Sequence, residues 1–567
     1  MENYEIADVL KETAKLMELN EENSFKIKSY QNAAFKLDRL TDKLEGKSVA
    51  ELEKVDGIGK SLSVKIFELL TSGTFPDLKK LIDQTPVGVI EMMHIKGIGP
   101  KKVAVIWKEM GIETPGELLY ACNENRLIEV KGFGQKTQET IRQAILFMMA
   151  SKGYHHYATA EALSWNMLIK AKKEQGIKWD FTGDMRRKCE VIEQINFIVC
   201  DDFREPFIKL LLASKEIDAN SIHDNNNITQ LQSSSGIKII INVVPTGEFI
   251  FERWKSTGNQ KHIADCLSFK QMNEHSLKDA TSENEIYQRL GLAFVEPEMR
   301  EGIFEIELMK NNSVPNLVTY EDLRGILHNH STYSDGIHSL KEMAEACKKL
   351  NMQYLGMCDH SKSAGYANGL SIERVAQQHT EIDALNEAMA PFKIFKGIES
   401  DILSDGSLDY PEEILKTFDF IVASVHSGLQ MDEEKATQRL IKAIENPYTT
   451  ILGHPTGRLL LARKGYPINH KAVIDACAAN NVIIELNAHP YRLDIDWRWI
   501  QYALSRNVMI SINPDAHATD GYLDMYYGVC AARKGGLTAE MTFNTKDLVA
   551  VTNWFQQKKA CSIRSDC

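Results

Sequence analysis

Seven times between Gly325 and His517 a short apolar run ends in residues able to bind a metal or exchange a proton. The runs are Gly325–His330, Tyr354–His360, Ile394–Glu399, Phe420–His426, Ile451–His454, Val482–Asn487 and Met509–His517. At or just beyond their ends stand His328, His330, Asp335, His360, Glu399, His426, His454, Asp515 and His517. A lone histidine in such a place is more often a hydrogen-bonded core residue, but nine groups in register with strand ends are not explained that way. The set is also too large for one ion. Imidazole mixed with carboxylate suits zinc, manganese or iron, and this many ligands suit two or three divalent ions. A cluster of that kind lowers the pKa of a bridging water and offsets charge on a transition state, which is hydrolytic chemistry.

The runs need elements to hold them. Apolar strands alternating with helix-length stretches specify parallel β/α architecture. When such strands close into a barrel, their C-terminal ends share one face. His328 and His330 are two apart, as are Asp515 and His517, so on a strand each pair points one way.

Composition frames the rest. A chain of 567 residues should form several domains, and its 43% hydrophobic and 25% charged content is that of an ordinary soluble protein. No apolar run approaches a membrane span, and Met1-Glu-Asn-Tyr-Glu5 shows no secretory signal. Ten cysteines without a Cys-x-x-Cys pair fit a reducing cytoplasm and argue against a cysteine-based zinc site. The net charge of −12 divides about evenly, roughly −6 on each side of residue 320. Bulk electrostatics therefore do not attract nucleic acid, and any such binding must come from local groups and be salt-sensitive.

Such local groups recur in the first half. Residues 5–20 carry a helical stripe of Ile6, Val9, Leu10, Thr13, Leu16 and Met17. Then Val55-Asp-Gly-Ile-Gly-Lys60, Ile95-Lys-Gly-Ile-Gly-Pro-Lys101 and Val130-Lys-Gly-Phe-Gly-Gln-Lys136 repeat one pattern. Each places Gly-x-Gly between two helical stretches with a lysine after it. This resembles the helix-hairpin-helix motif. Gly57, Gly59, Gly97, Gly99, Gly132 and Gly134 permit tight turns that bring backbone N–H groups to a phosphate, with Lys60, Lys101 and Lys136 beside them. Such a grip carries no base information.

The C-terminal half, about residues 320–567, resembles the PHP (polymerase and histidinol phosphatase) domain. The motifs are His-Asn-His (328–330), Ser-Asp-Gly (334–336), Cys-Asp-His (358–360), Gly-Ile-Glu (397–399), Ser-Val-His-Ser (424–427), Gly-His-Pro (453–455) and Asp-Ala-His (515–517). The nine residues named above are where such domains carry metal ligands. The first half is similar to family X, DNA polymerase β-like proteins. Phe181-Thr-Gly-Asp-Met-Arg-Arg187 and the strand through Val199 resemble the nucleotidyltransferase palm signature, and Thr257-Gly258-Asn259 resembles the turn after it. The palm's three metal-binding carboxylates, however, fall on Gln194, Asn196 and Ile240. Magnesium wants carboxylate oxygens, so no magnesium site is expected in the palm.

The whole chain thus resembles a bacterial family X polymerase with a C-terminal PHP domain. The expected fold is multidomain, α+β and α/β. It comprises a helix-hairpin-helix, lyase-like domain (1–80), a helix-hairpin-helix, fingers-like domain (81–150), a degenerate palm (151–245), a thumb-like domain (246–315) and a (β/α)7-type PHP barrel (320–567). The resemblance implies a cytoplasmic DNA-repair enzyme that removes nucleotides from 3′ ends and nicks at baseless sites, on gapped, nicked or 3′-ended DNA of any sequence. It implies two or three ions, zinc, manganese or iron, with a hydroxide held at the ligands as nucleophile. His328, His330, Glu399 and Asp515 would share one ion or bridge a pair, His360 and His426 would complete a second, and Asp335, His454 and His517 would take the remaining positions. Arg458 and Lys464 are candidate phosphate contacts. Lys65 stands where lyase-active relatives carry a Schiff-base lysine, and Lys60 and Lys65 are alternative 5′-phosphate contacts. Three rivals stay open: a small-molecule phosphatase of the histidinol-phosphate type, a non-catalytic DNA scaffold, and a still-active polymerase. Neither membrane nor oligomeric state is indicated.

Overall fold

The computed structural model describes residues 1–40, 42–123, 125–168, 176–225, 227–270 and 273–563. They form two compact units, Met1–Lys152 and Gly153–Cys567. No helix among the described residues is long and apolar enough to cross a membrane.

The first unit is helical. Helix Asn3–Leu19 starts on a capping box between Glu2 and Glu5 and buries Ile6, Leu10, Leu16 and Met17, as its apolar spacing requires. Helix Ser24–Leu37, capped by Asn23, buries Tyr30, Ala33, Ala34 and Leu37 in the same core. Each large apolar side chain removed from water contributes about 1.5–3 kcal/mol. One set of packed buried residues, from Ile6 to Ile145, spans the expected boundary at 80/81. The three glycine turns are alike. Gly57, Gly97 and Gly132 have φ of +87°, +96° and +97°, a left-handed backbone that side-chain-bearing residues rarely adopt. Gly59, Gly99 and Gly134 are extended and cap helices Lys60–Ser72, Pro100–Lys108 and Gln135–Ser151.

The second unit holds two main sheets. The smaller contains β1 (Trp179–Thr182), β2 (Gln194–Cys200), β3 (Ile217–Asn225), β4 (Ile228–Ser233) and β5 (Lys238–Val244), in the order β1-β2-β5-β4-β3. Only the β2–β5 pair is parallel. Ile195, Phe197, Val199, Ile239 and Ile241 fill one face of it, the alternation expected of half-buried strands. Helices Phe249–Thr257, Gln260–Lys270 and Glu283–Leu290 form a separate small core around Trp254 and Tyr287.

The larger sheet has seven parallel strands in sequence order: β6 (Gly325–Ile326), β7 (Tyr354–Met357), β8 (Lys393–Asp401), β9 (Phe420–Ser424), β10 (Ile451–Leu452), β11 (Ile483–Asn487) and β12 (Ile510–Asn513). Beyond the last strand the chain pairs back to the first, Asn329 with Ala516, and the sheet closes into a barrel. Tyr354 and Phe420, at strand starts, pack with Phe395 and Phe555 inside it. Phe555, from the C-terminal helix Leu548–Ile563, stacks on Phe420 at 5.0 Å and stops the N-terminal end of the barrel. The strand C-termini are left to line the other end.

Buried ion pairs join the two sheets. Glu301 receives Arg187 at 3.0 Å and the buried ammonium of Lys534. Glu190 receives the Trp497 indole N–H at 3.1 Å and Arg458 at 3.1 Å.

Candidate metal centre

All nine ligand candidates converge at the C-terminal mouth of the barrel. Four overlapping groups have ligand atoms within 4.8 Å of one another: His330, Asp335, His360 and His517; His328, His454 and Asp515; His328, His330 and Glu399; and His360, Glu399 and His426. Glu399, on β8, is the hub. Its carboxylate lies 3.0 Å from His426 Nε2, 3.0 Å from His454 Nε2, 2.9 Å from His360 Nδ1 and 3.3 Å from His328 Nε2. This geometry keeps His328 and His330 with Glu399, and His360 with His426, as expected from sequence, and gives the remaining three ligands definite neighbours. Asp335 and His517 join His330 and His360, with Asp335 3.4 Å from His517. His454 joins His328 and Asp515 instead of standing apart.

The paired ligands also meet by a different device from the one alternation suggests. His328 and Asp515 are not in regular strands but at left-handed bends, with φ of +65° and +53°. The bends face each other across the closure: the Asp515 N–H donates to His328 O at 3.1 Å and the His330 N–H to Ala516 O at 2.8 Å. Backbone strain of this kind persists where the surroundings over-determine it, and such places cluster at functional sites.

Several polar atoms in the cluster are buried without a hydrogen-bond partner, namely His328 Nε2, His360 Nδ1, His454 Nδ1 and Glu399 Oε2. His328 Nε2 and His360 Nδ1 lie near carboxylates, yet not in hydrogen-bond alignment. Buried polar atoms left so are costly, and their convergence on carboxylates suits a divalent cation. Electrostatics agree. Burial alone would raise the Glu399 carboxyl, but His426, His328 and His360 hold it well below the carboxylate range. Burial would lower His426, and Glu399 with Asp401 override it, pushing the ring up to about 10. His330, buried and crowded by His517 and His360, falls to about 3.

The orienting shell was not singled out from sequence. Glu485, in the run Val482–Asn487, accepts from His328 Nδ1 at 2.6 Å, Asn513 Nδ2 at 2.9 Å and the His454 N–H at 3.1 Å. Asp401 holds His426 Nδ1, and Asn487 Nδ2 donates to Asp515 at 3.1 Å. Each carboxylate fixes a ring so that its other nitrogen faces the cluster. Glu485→Gln is therefore expected to weaken metal binding about 10–100-fold in competition with a chelator. Unchanged affinity in the folded variant would remove Glu485 from this role.

The basic residues divide. Lys464 is exposed. Arg458 is not the phosphate contact expected from sequence. Its guanidinium is taken up by Asp496 at 2.8 Å, Glu190 at 3.1 Å and the carbonyls of Arg492 and Leu493, which makes it a clamp between the two sheets. Burial alone would raise the Asp515 carboxyl, and His328, His330 and then the half-buried Arg492 hold it well down. In the first unit Lys60 is exposed, while Lys65 donates to Asp77 at 2.7 Å and to the Tyr30 hydroxyl at 2.9 Å. Lys26 lies 3.1 Å from the same carboxylate. The Lys65 amine is thus held between Asp77 and the Tyr30 hydroxyl. An added Cβ at Gly59, Gly99 or Gly134 would meet nothing within 4 Å, so those turns are open to approach.

On the smaller sheet Asn196 and Ile240 are register partners, and Gln194 Nε2 donates to Asn196 Oδ1 at 2.9 Å. Arg186, within the stretch that resembles the palm signature, donates to Glu283 at 2.6 Å and Thr257 at 2.8 Å.

Comparison with known proteins matches these parts one by one. A helix-hairpin-helix domain family matches residues 1–75, a SAM-like helix-hairpin-helix tandem matches 89–145, and the PHP domain matches 327–489. A probable phosphatase of Thermoanaerobacter sp. (strain X514) is 28% identical over 244 residues, 41% of this chain and 94% of its own length. The DNA polymerase/3′-5′ exonuclease PolX of Bacillus subtilis (strain 168) is 32% identical over 568 residues, covering 97% of this chain and 98% of the relative. With helix-hairpin-helix motifs, a mixed α/β middle and a PHP barrel, and with that relative matched along nearly its whole length, the chain belongs to the PolX family of DNA polymerase/3′-5′ exonucleases.

Proposed function

We propose that this chain is a metal-dependent phosphodiesterase that shortens DNA from 3′ ends, with baseless-site or other 3′-end processing as the related activity, and that its polymerase chemistry is lost. The observation carrying this reading is the contrast between two sites. All nine ligand candidates converge at the barrel mouth, while the palm positions hold Gln194, Asn196 and Ile240. Two or three divalent ions, zinc, manganese or iron, would supply an activated water and offset charge on the phosphorane. His330, Asp335, His360 and His517 would hold one ion. His328, His454 and Asp515 would hold another, and Glu399 would bridge to His426. Arg492 would meet a non-bridging phosphate oxygen beside Asp515, and Lys464 the DNA backbone further out. The 246–315 segment would act as a thumb-like support. Lys26, Tyr30, Lys60 and Lys65 would take a 5′ phosphate, which would displace Asp77 as their counter-charge, and no lyase chemistry is assigned to Lys65.

The test is end-labelled primer–template DNA beside histidinol phosphate, each with the metal-loaded protein. Stepwise shortening from the 3′ end supports the proposal. Turnover of histidinol phosphate with DNA untouched gives the phosphatase reading, which the barrel-length similarity to a probable phosphatase favours.

The glycine turns would grip phosphate, so binding should fall with salt and ignore sequence. Gly99→Leu is the clean probe. Its φ of −92° tolerates a side chain, and nothing in the protein obstructs one, so the fold should survive while the backbone loses its close approach. We expect DNA affinity to drop about 10-fold, the order of one lost charge-assisted hydrogen bond. An unaltered binding isotherm would count against the hairpin.

A further inference from the structure

Beside the metal centre stands an aromatic ring that nothing above uses. Tyr366 is 70% exposed, yet its ring centroid lies 5.9 Å from that of His360 and 6.4 Å from that of His426. Single exposed aromatics are common and mean little alone. This one differs in how it is held. It sits in the short 3-10 turn Gly365–Ala367, with Ala364 and Ala367 on either side fully or nearly buried. Ser363 pins the turn through its N–H to Asp409 at 2.6 Å and its hydroxyl to Asp401 at 2.7 Å, the same Asp401 that orients His426. On the far side Asn368 takes a left-handed backbone, its carbonyl accepts from Arg374 at 2.8 Å, and Leu370 N–H returns to His360 O at 2.9 Å. The loop is thus tied at both ends to residues of the metal centre. The tyrosine side chain leaves it for solvent, and its hydroxyl makes no hydrogen bond among the described residues. A ring displayed on an anchored loop at the mouth of a site presents an apolar face at little ordering cost.

We propose that Tyr366 is the stacking platform for the base of the 3′-terminal nucleotide, a subsite that makes this centre prefer a nucleotide over a small phosphoester. The inference rests on the nuclease reading above. A scissile phosphate held at His360 and His426 places the adjoining sugar and base within reach of the ring. Every base offers a π face, so the platform would be tolerant of sequence, in keeping with a sequence-independent grip elsewhere in the chain.

The experiment measures release of the first residue from two single-stranded oligonucleotides, identical except that one ends in thymidine and the other in a tetrahydrofuran residue lacking a base. The metal-loaded protein is compared with Tyr366→Ala and Tyr366→Phe, and bound metal is measured in each. We expect the parent to have a higher KM for the baseless end. Tyr366→Ala should raise KM for the thymidine end about 5- to 150-fold, the range a lost base–aromatic stack corresponds to. It should leave the baseless end and metal content unchanged, and Tyr366→Phe should behave as the parent. Equal losses on both ends, no loss on either, or a Phe variant as impaired as Ala overturns the platform. A parent that treats both ends alike also overturns it and leaves the nuclease reading standing. A parent that releases nothing from either end defeats the nuclease reading itself, and the platform falls with it.

Discussion

A His328→Ala/His330→Ala variant should lose 3′-end hydrolysis by roughly 10³-fold or more, since removing even one outer partner of a metal ligand costs about 10–100-fold. Metal content should fall with it, while salt-sensitive DNA binding by Met1–Lys152 persists. The reason is geometric. His328 belongs to two of the four ligand groups and His330 to another two, with one group shared, so the pair touches three of the four. Both side chains are fully buried, and their loss leaves a void as well as a missing charge partner for Asp515, 3.0 Å from His330. Folding must therefore be checked by thermal melting. His517→Ala supplies the second arm, because that side chain is 41% exposed and its removal leaves little cavity. Parental hydrolysis rates in the folded double variant would place the active site elsewhere.

What the sequence made legible, and what it hid, follows from the reach of each signal. Ligand identity was legible because strand periodicity and short motifs are local, and the C-terminal ends of parallel strands share a face. The glycine turns were legible for the same reason, each being complete within six or seven residues. Partner choice was not. His328 and Glu485 are 157 positions apart, and Arg458 and Glu190 268 apart, so no spacing rule links them. Arg458 therefore read as a free cation when it is a buried clamp. Lys65 read as a Schiff-base lysine or a 5′-phosphate contact, and Asp77 beside it was not anticipated, since a helix N-terminal aspartate is ordinary in sequence. The bends at His328 and Asp515 were hidden because neither residue is a glycine, and two-residue spacing on a strand gave the right convergence for the wrong backbone. The packing that spans the 80/81 boundary was hidden too, because motif boundaries mark where a repeat starts and not where packing stops.

Primer extension should be undetectable above a protein-free control, in magnesium or manganese, with every nucleotide present. Nucleotidyl transfer needs two cations clamped by carboxylates. The β2–β5 register sets Asn196 opposite Ile240, so the positions that would carry that clamp adjoin each other, and Gln194 spends its amide on Asn196. Neutral amides and an alkyl group cannot offset a divalent charge. The carboxylate on the same face of β1, Asp180, is already engaged, with Arg253 at 3.0 Å and Arg186 at 3.8 Å. Arg186, Arg253 and Arg300 converge in turn on Glu283, whose carboxyl they hold at about 2 against the rise that burial alone would cause. Freeing Arg186 from this network would leave a buried carboxylate with fewer partners, a costly exchange. The assay uses protein purified away from host polymerases, with His328→Ala/His330→Ala included so that shortening cannot mask extension. Templated extension that co-purifies with the chain, and that falls when Gln194 or Asn196 is replaced by alanine, would show that the palm still works through a site not built on carboxylates.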